Sequence, residues 1–416
     1  MKVPKLTKQF IQNELYKFCV GTEVQTIIGQ YASQSIWQPQ DIIKIVLEAC
    51  LERTSLEDLC STNNGPSADR VHSRFSELQI HQVDRLINHW LQDVGSRLHF
   101  HGNTQVTVSI DLYQQPYYGD PKPDWVTGMK HKKGTNYALS FLIVSISTGK
   151  IRCPVAVRLM TKQLMKTKPF VVGEICARLR LWLPIKRVYL DRGFCSDEMV
   201  QELDRRGLKY VMAAIRRGEI KKAFQAIREC CEELTHQAGI EVTDRLAMGR
   251  WLRQQGLDTF QVPNIRLKSR KTTGRLVAVW VRHKTQNRDR KKRRTYNLFL
   301  YITNCQVSPR YVVRLYGKRW IVETDIRCMG EFKPVTNSTS APLRLFFQGL
   351  TMVFDALWVV FSTLTHRVRK GKIRIVTEHT QWEIRQADQL VCIARWFKRW
   401  LRDEIFPELC FQGGDA

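Results

Sequence analysis

Apolar positions recur at helical spacing through residues 1 to about 100. Ile42, Ile45, Val46 and Ala49 mark one face of an amphipathic segment from Gln40 to Glu52. Thr54-Ser-Leu-Glu57 has the capping-box pattern and predicts a second short helix through Leu59 and Cys60. Ser61-Thr-Asn-Asn-Gly-Pro66 is a turn cluster. Ser67 then predicts the cap of a third helix, with Val71, Phe75 and Leu78 inward and Arg70, His72 and Arg74 outward. Helix, turn and basic helix outline a helix-turn-helix with a long turn; a plain helical bundle with a solvated basic face is the alternative.

From Gln105 the period changes to two. Val106, Val108, Ile110 and Leu112 alternate with Thr107, Ser109 and Asp111, which predicts a strand with Asp111 at the end of its polar face. Tyr137–Ser147 and Ile151–Met160 read as two more strands, joined by a Ser-Thr-Gly-Lys turn. A helix over Pro169–Trp182, a strand over Arg187–Asp191, a Ser196-capped helix to about Arg206 and a strand over Lys209–Ile215 follow. That order implies a mixed α/β sheet.

Residues 216–305 break the rhythm. A helix over Glu219–Glu233 leads into strand-like runs near 257–267, 274–283 and 295–303. Between Arg266 and Arg294 stand 13 Lys and Arg residues and one acid, Asp289; Trp280, Tyr296 and Phe299 interleave along the same strand-like runs. Basic strands with aromatic members suit a surface that tracks a phosphate backbone. Arg288, Arg290, Lys291, Lys292, Arg293 and Arg294 read as a hairpin tip.

Ser308-Pro309 is a helix start, and only Gly317 and Gly330 weaken the helix between Pro309 and Lys333. At about 100° per residue, Tyr316, Arg319, Glu323 and Arg327 fall at offsets of roughly 0°, −60°, −20° and +20°, one polar stripe. Such a stripe can hold a metal on its carboxylate and an anion on its arginines; a solvated face with i,i+4 ion pairs is the plain alternative. A polar loop from Pro334 precedes an apolar helix over Leu343–Leu364, capped by Ser340 and interrupted by Arg344, Gln348 and Asp355. Those interruptions favour a buried core helix over a membrane span. Residues 366–375 read as basic linker, and the tail from about 379 as an amphipathic helix carrying Trp396, Phe397, Trp400 and Leu401.

Composition sharpens this. A chain of 416 residues favours two to four domains. A formal charge of +27 favours a polyanionic partner, nucleic acid before anionic membrane. Twelve cysteines without a CxxC or a Cys/His metal spacing suggest reduced thiols, and no apolar leader follows Met1, so a cytoplasmic chain is expected.

Three acids stand out. Asp111 and Asp191 end strands, and Glu323 lies on the downstream helix. Carboxylates at the ends of neighbouring parallel strands converge at one sheet edge, and a helix beside it can add a third. Three hard oxygen donors suit Mg²⁺ or Mn²⁺, and two such ions about 3.5–4 Å apart can drive in-line attack on a phosphodiester.

The pattern Ile110-Asp111, then Tyr189-Leu-Asp191-Arg-Gly-Phe194, then Tyr316-x2-Arg319-x3-Glu323-x3-Arg327 resembles the DDE transposases of prokaryotic insertion sequences. It is similar to the group with a β-rich insertion before the catalytic Glu. The main branch carries a basic residue seven positions after that Glu, where this chain has Gly330. A halophile-named sister branch with Arg four positions on fits Arg327. Ser338-Thr-Ser-Ala-Pro-Leu-Arg344 also resembles the family's run into its last core helix.

The resemblance, over roughly 105–365, implies a ribonuclease-H-like mixed sheet interrupted by a β-rich insertion, two divalent ions (Mg²⁺ or Mn²⁺) and a cut-and-paste reaction. Asp111, Asp191 and Glu323 are the expected metal-holding catalytic triad. Tyr316, Arg319, Arg327, Lys318 and Lys333 are expected on DNA phosphates, the 288–294 tip on DNA backbone, and Arg70, His72 and Arg74 on the DNA end. The expected organisation is a helical DNA-end-binding domain at 1–100, a catalytic core at 101–215 and 306–370, a basic insertion at 216–305 and a helical C-terminal segment at 371–416. Partners are double-stranded DNA, both terminal inverted repeats and target, and a second copy of the chain in a synaptic dimer, at the prokaryotic nucleoid and not at a membrane. The rival readings are a ribonuclease-H-like nuclease without strand transfer and a non-catalytic DNA-binding derivative.

Overall fold

The computed structural model describes residues 12–18, 21–29, 37–62, 65–98, 105–148, 151–267, 273–286, 292–367, 376–377, 380–381 and 397–405. The chain divides into two compact units. Unit 1 comprises Met1–Thr104, Asp111–Lys166 and Ile321–Ala416; unit 2 comprises Gln105–Ile110 and Thr167–Trp320.

In unit 1 the N-terminal region is helical: α1 (Thr22–Gly29), α2 (Pro39–Glu52), α3 (Leu56–Thr62), α4 (Ala68–Ser76) and α5 (Ile80–Ser96). Ser67 caps α4 by accepting the Arg70 amide, and Ser55, one residue after the expected Thr54, accepts the Asp58 amide at the start of α3. Strand β1 (Val106–Pro116) begins in unit 2 and continues into unit 1. There it neighbours β3 (Thr135–Thr148), which pairs antiparallel with β2 (Thr127–Lys132) and β4 (Ile151–Met160). Strand β2 and a one-turn helix at Lys162–Lys166 were not expected from the pattern.

The centre of unit 1 is α12 (Ala341–Arg367), which packs on α5 and β4. Ser340 accepts the Leu343 amide at its start, as the sequence suggests. Phe346 meets Phe75 and Trp90 with ring centroids 4.8 and 5.8 Å away. Gly349 lets α5 come close, since a Cβ there would stand 2.4 Å from Ile87 Cγ2. Asn88 of α5 ties to β4 through both amide atoms: Nδ2 donates to Val157 O at 2.8 Å and Oδ1 accepts Val157 N–H at 3.1 Å. The stretch Ala341–Val360 is long and apolar enough to cross a membrane, yet all of it is buried against protein. It is therefore the core helix that Arg344, Gln348 and Asp355 announced. Each aliphatic or aromatic side chain so buried contributes about 1.5–3 kcal/mol. Residues 368–375 and 382–396 lie outside the described residues; Phe397, Leu401 and Ile405 of the tail are buried. Two-residue strands at Val376–Thr377 and Thr380–Gln381 pair where only helix or linker was expected.

Unit 2 continues the sheet pattern. Its order is β1, β5 (Ile185–Leu190), β6 (Lys209–Ala213), β9 (Lys292–Thr303), β8 (Thr273–Gln286) and β7 (Thr259–Arg266). β1, β5 and β6 are parallel, and β9, β8 and β7 are antiparallel. Helices α6 (Lys168–Leu179), α7 (Asp197–Arg205), α8 (Gly218–Gln237) and α9 (Arg245–Gln254) fill the connections; α9 was not foreseen. Residues 216–305 thus do not stand apart from 167–215. Val211, Met212 and Ala213 of β6 pair directly with Thr303, Ile302 and Tyr301 of β9, so the inserted strands extend the sheet.

The helix expected over 309–333 is broken. α10 (Pro309–Gly317) ends, Lys318 and Arg319 form a turn, and α11 (Trp320–Met329) follows, with a 3₁₀ turn at Gly330–Phe332. Lys318 N–H bonds Leu315 O and Arg319 N–H bonds Tyr316 O, the three-residue spacing of a tightening end. Gly317, a poor helix former, stands at that end. Ser308 occupies the N-cap position of α10 without a side-chain bond. Tyr316 and Arg319 therefore do not share one straight helix with Glu323 and Arg327.

Candidate active site

In unit 2, Val106 to Ile110 register with β5, ending on the pair Ile110 and Leu190. Asp191 directly follows β5 and opens a 3₁₀ turn in which Phe194 N–H bonds Asp191 O at 3.0 Å. α10 packs on the sheet through Val312 and Leu315, in a core with Tyr189, Val211, Val277, Val279 and Tyr301. That packing delivers Tyr316. Its ring lies 4.9 Å from Tyr301, and its hydroxyl donates to Asp191 Oδ1 across 3.4 Å. Burial pushes the Tyr316 phenol well above its ordinary pKa; Arg319 opposes that and the Asp191 charge adds to it. The group is a neutral donor at any physiological pH. The Arg319 guanidinium sits 5.5 Å from the Tyr316 ring, and the residue is buried, which suits a cation–π contact.

Asp191, Tyr316 and Arg319 line a cavity of about 740 Å³ in unit 2. Its other walls carry Arg192, Arg216, Arg228 and Arg245, with Phe224, Trp280, Phe299 and Trp320 between them. Arg216 stacks 3.8 Å from the Phe224 ring centroid, and burial, then Arg192 and Arg228, lower its pKa. Arginines over aromatic rings beside a carboxylate can hold an anion with a planar group attached. Arg216, Arg228 and Arg245 were missed by the sequence reading, which placed the basic surface at 288–294. Of that tip, Arg288, Arg290 and Lys291 lie outside the described residues, and Lys292, Arg293 and Arg294 are backbone partners of Gln286, Thr285 and Lys284 at the start of β9.

In unit 1, Asp111 is half-buried and lies mid-strand, because β1 runs on to Pro116; this corrects the expected strand end. Its Oδ1 accepts the Leu112 amide at 2.8 Å. Glu323 is half-buried in the first turn of α11, and Arg327 is exposed in the last. Those ends are the favourable ones for each charge. Lys333 Nζ donates to Tyr113 Oη at 3.1 Å. In unit 2, Lys318 is half-buried.

Asp325, two residues beyond Glu323, was passed over and is fully buried. Arg152 Nη1 lies 3.1 Å from its Oδ1, and Arg152 Nη2 lies 3.9 Å from Asp355 Oδ1 and 3.4 Å from Cys328 Sγ. Two acids and one base are thus enclosed together. Burial raises both carboxyl pKa values, Asp325 to about 8 and Asp355 to about 6, while Arg152 pulls both down. No hydrophobic pattern marks such a cluster, since its members come from β4, α11 and α12.

The basic helix α4 differs from expectation. Arg74 is buried, 3.7 Å from Glu77 Oε2, and so does not face outward. The Phe75 and Val71 side lies one residue away, and the long Arg stem is drawn in with it. His72 is half-buried with Nε2 3.1 Å from Glu57 Oε1, and Arg70 is half-exposed.

Among the described residues, no three His, Cys, Asp or Glu side chains are gathered as one metal-holding group. The three predicted donors are all carboxylates, the hard oxygen type that Mg²⁺ and Mn²⁺ take, and Asp191 opens on the cavity.

No curated protein matches this chain. Its fold is similar to that of a piggyBac transposase seen by cryo-electron microscopy in a synaptic complex with hairpin DNA, at 10% identity and a TM-score of 0.51, over 100% of this chain and 87% of that one. The family model described as Transposase DDE domain matches residues 130–353, which include Asp191, Tyr316, Arg319 and Glu323 and begin after Asp111. That match spans more than half of the 416 residues, and the chain belongs to the transposase DDE domain family, enzymes that act on DNA.

Proposed function

We propose that this chain cuts and rejoins DNA at the ends of an insertion sequence, in a metal-dependent cut-and-paste transposition. Its family is divalent-metal dependent. The observation that carries the reading is the parallel register that ends at Ile110 and Leu190. Asp111 follows Ile110 in the chain and Asp191 follows Leu190. Glu323 is the third acid. Two Mg²⁺ or Mn²⁺ ions held by these carboxylates would activate the attacking oxygen and stabilise the leaving one. The chain's own part is positional. The neutral Tyr316 phenol orients Asp191 through Oδ1. Arg319, Arg327, Lys318 and Lys333 hold DNA phosphates, the scissile one or those flanking it.

The helical region 1–100 binds the terminal inverted repeats, with Arg70 as its outward base. The core at 101–215 and 306–370 carries the chemistry, and the 216–305 segment adds backbone contacts. The 371–416 segment supports the core. The solved transposase of similar fold is described in a synaptic complex with DNA. By that analogy two copies of this chain pair two element ends, in the cytoplasm of a prokaryote at its nucleoid.

The test is a plasmid carrying the element's two ends, incubated with the protein and Mg²⁺ or Mn²⁺. Specific nicking at the ends, lost in Asp111→Ala, Asp191→Ala and Glu323→Ala with end binding retained, is the expected outcome. Cleavage that survives Glu323→Ala removes Glu323 from the triad. A pre-cleaved end that is never joined to target DNA leaves a nuclease without strand transfer, and binding without nicking leaves a DNA-binding derivative.

A further inference from the structure

The turn between β2 and β3 in unit 1 is strongly charged and belongs to none of the groups described above. Lys130, His131, Lys132 and Lys133 are consecutive and all exposed. No acid occurs between Trp125 and Ser140 to neutralise them. The turn itself is tight: Lys133 and Gly134 have φ of 52° and 81°, the paired left-handed geometry of a two-residue hairpin loop. Lys132 and Thr135 are the last registered pair before it.

The tip is braced. Tyr118 is 66% exposed, and its hydroxyl donates to Lys133 O at 2.8 Å. Thr135 Oγ1 donates to Tyr117 O at 2.9 Å, and Tyr117 N–H to Tyr137 O at 2.9 Å. His131 Nδ1 lies 3.0 Å from Asn136 Oδ1, across the two strands. These bonds hold four adjacent basic residues on a two-stranded ribbon where thermal motion would otherwise disperse them. A flexible basic loop repels itself; here the backbone fixes the charges against that repulsion at a cost in stability. A built positive ridge on a hairpin that carries no acid of its own fits a polyanion.

We propose that the Lys130–Lys133 ridge is a sequence-independent contact to the phosphodiester backbone of duplex DNA. Lysine is a point charge without the bidentate fork that reads base edges, so the ridge contributes affinity and not sequence choice. The inference rests on the reading of the chain as a DNA-acting transposase, and adds a surface outside the acids and the cavity.

The experiment measures binding of the full chain to a labelled duplex of arbitrary sequence as KCl rises from about 50 to about 200 mM, without divalent metal. Each phosphate neutralised contributes about −0.9 to the slope of log K against log salt. Replacing Lys130, Lys132 and Lys133 together by Gln should make that slope shallower by about two to three and weaken binding at the lower salt at least tenfold. The triple Lys→Arg variant should keep the wild-type slope, which separates lost charge from lost fold. A Gln variant with the wild-type slope overturns the ridge and leaves the transposase reading standing. A wild-type chain that does not bind duplex DNA overturns both.

Discussion

The Tyr316 hydroxyl reaches Asp191 Oδ1 across 3.4 Å, which joins the end of α10 to the end of β5. Because burial holds the phenol neutral, it acts as a donor and not as a titrating base. Tyr316→Phe keeps the ring against Tyr301 and removes only that bond. The expected result is a loss of about 1 kcal/mol, five- to tenfold in cleavage rate, with a higher Mg²⁺ concentration needed for half-maximal rate. The rate against Mg²⁺ concentration checks it. An unchanged metal dependence would mean that Tyr316 does not orient Asp191.

Arg152 compensates two enclosed carboxylates. Removing one partner of a buried ion pair leaves an uncompensated charge. Arg152→Met should therefore destabilise unit 1 by about 3–5 kcal/mol. Urea denaturation followed by tryptophan fluorescence measures this, and a loss under about 1 kcal/mol would show that the cluster admits water.

The same pair gives stability a pH dependence. Asp325 and Asp355 have raised folded pKa values, so the folded chain holds protons that the unfolded chain has released. Their contribution is most favourable below the ordinary carboxylate pKa. It declines as pH rises through that value towards the folded values of about 6 and about 8. Asp325→Asn, which mimics the protonated form, should flatten the fall in melting temperature across this window. Parallel curves for wild type and variant would remove Asp325 as its source.

Gly349 marks where α5 and α12 touch. A methyl group there meets Ile87 Cγ2 at 2.4 Å. Gly349→Ala should cost about 1–3 kcal/mol by overpacking, and Ile87→Ala in the same chain should recover part of it. A double-mutant cycle by urea denaturation reads the coupling; additive effects would place the strain elsewhere.

The sequence displays what has a period. Ile151–Met160 is a strand with the expected bounds, and Ser67 and Ser196 cap helices as their spacing suggests. β2 escaped because its Lys-rich sequence has no apolar face to alternate. The break at Lys318–Arg319 escaped because Gly317 alone does not announce a turn. Arg74 was read outward from its charge, although its place beside Phe75 carries it into the core. Asp325 and Asp355 could be found only once three separated segments were assembled around Arg152. The pattern of Asp111, Asp191 and Glu323 was read from its resemblance to a known family, and the arginines of the unit 2 cavity carry no such signature.

Asn88 has a last consequence. β4 pairs with β3 on one side, and the N–H and C=O of Val157 are taken on the other by the Asn88 amide. A side chain thereby takes the hydrogen bonds that a further strand would make there. Exposed strand edges are templates for aggregation. The amide of one helix residue thus closes that point of the β4 edge to a further strand.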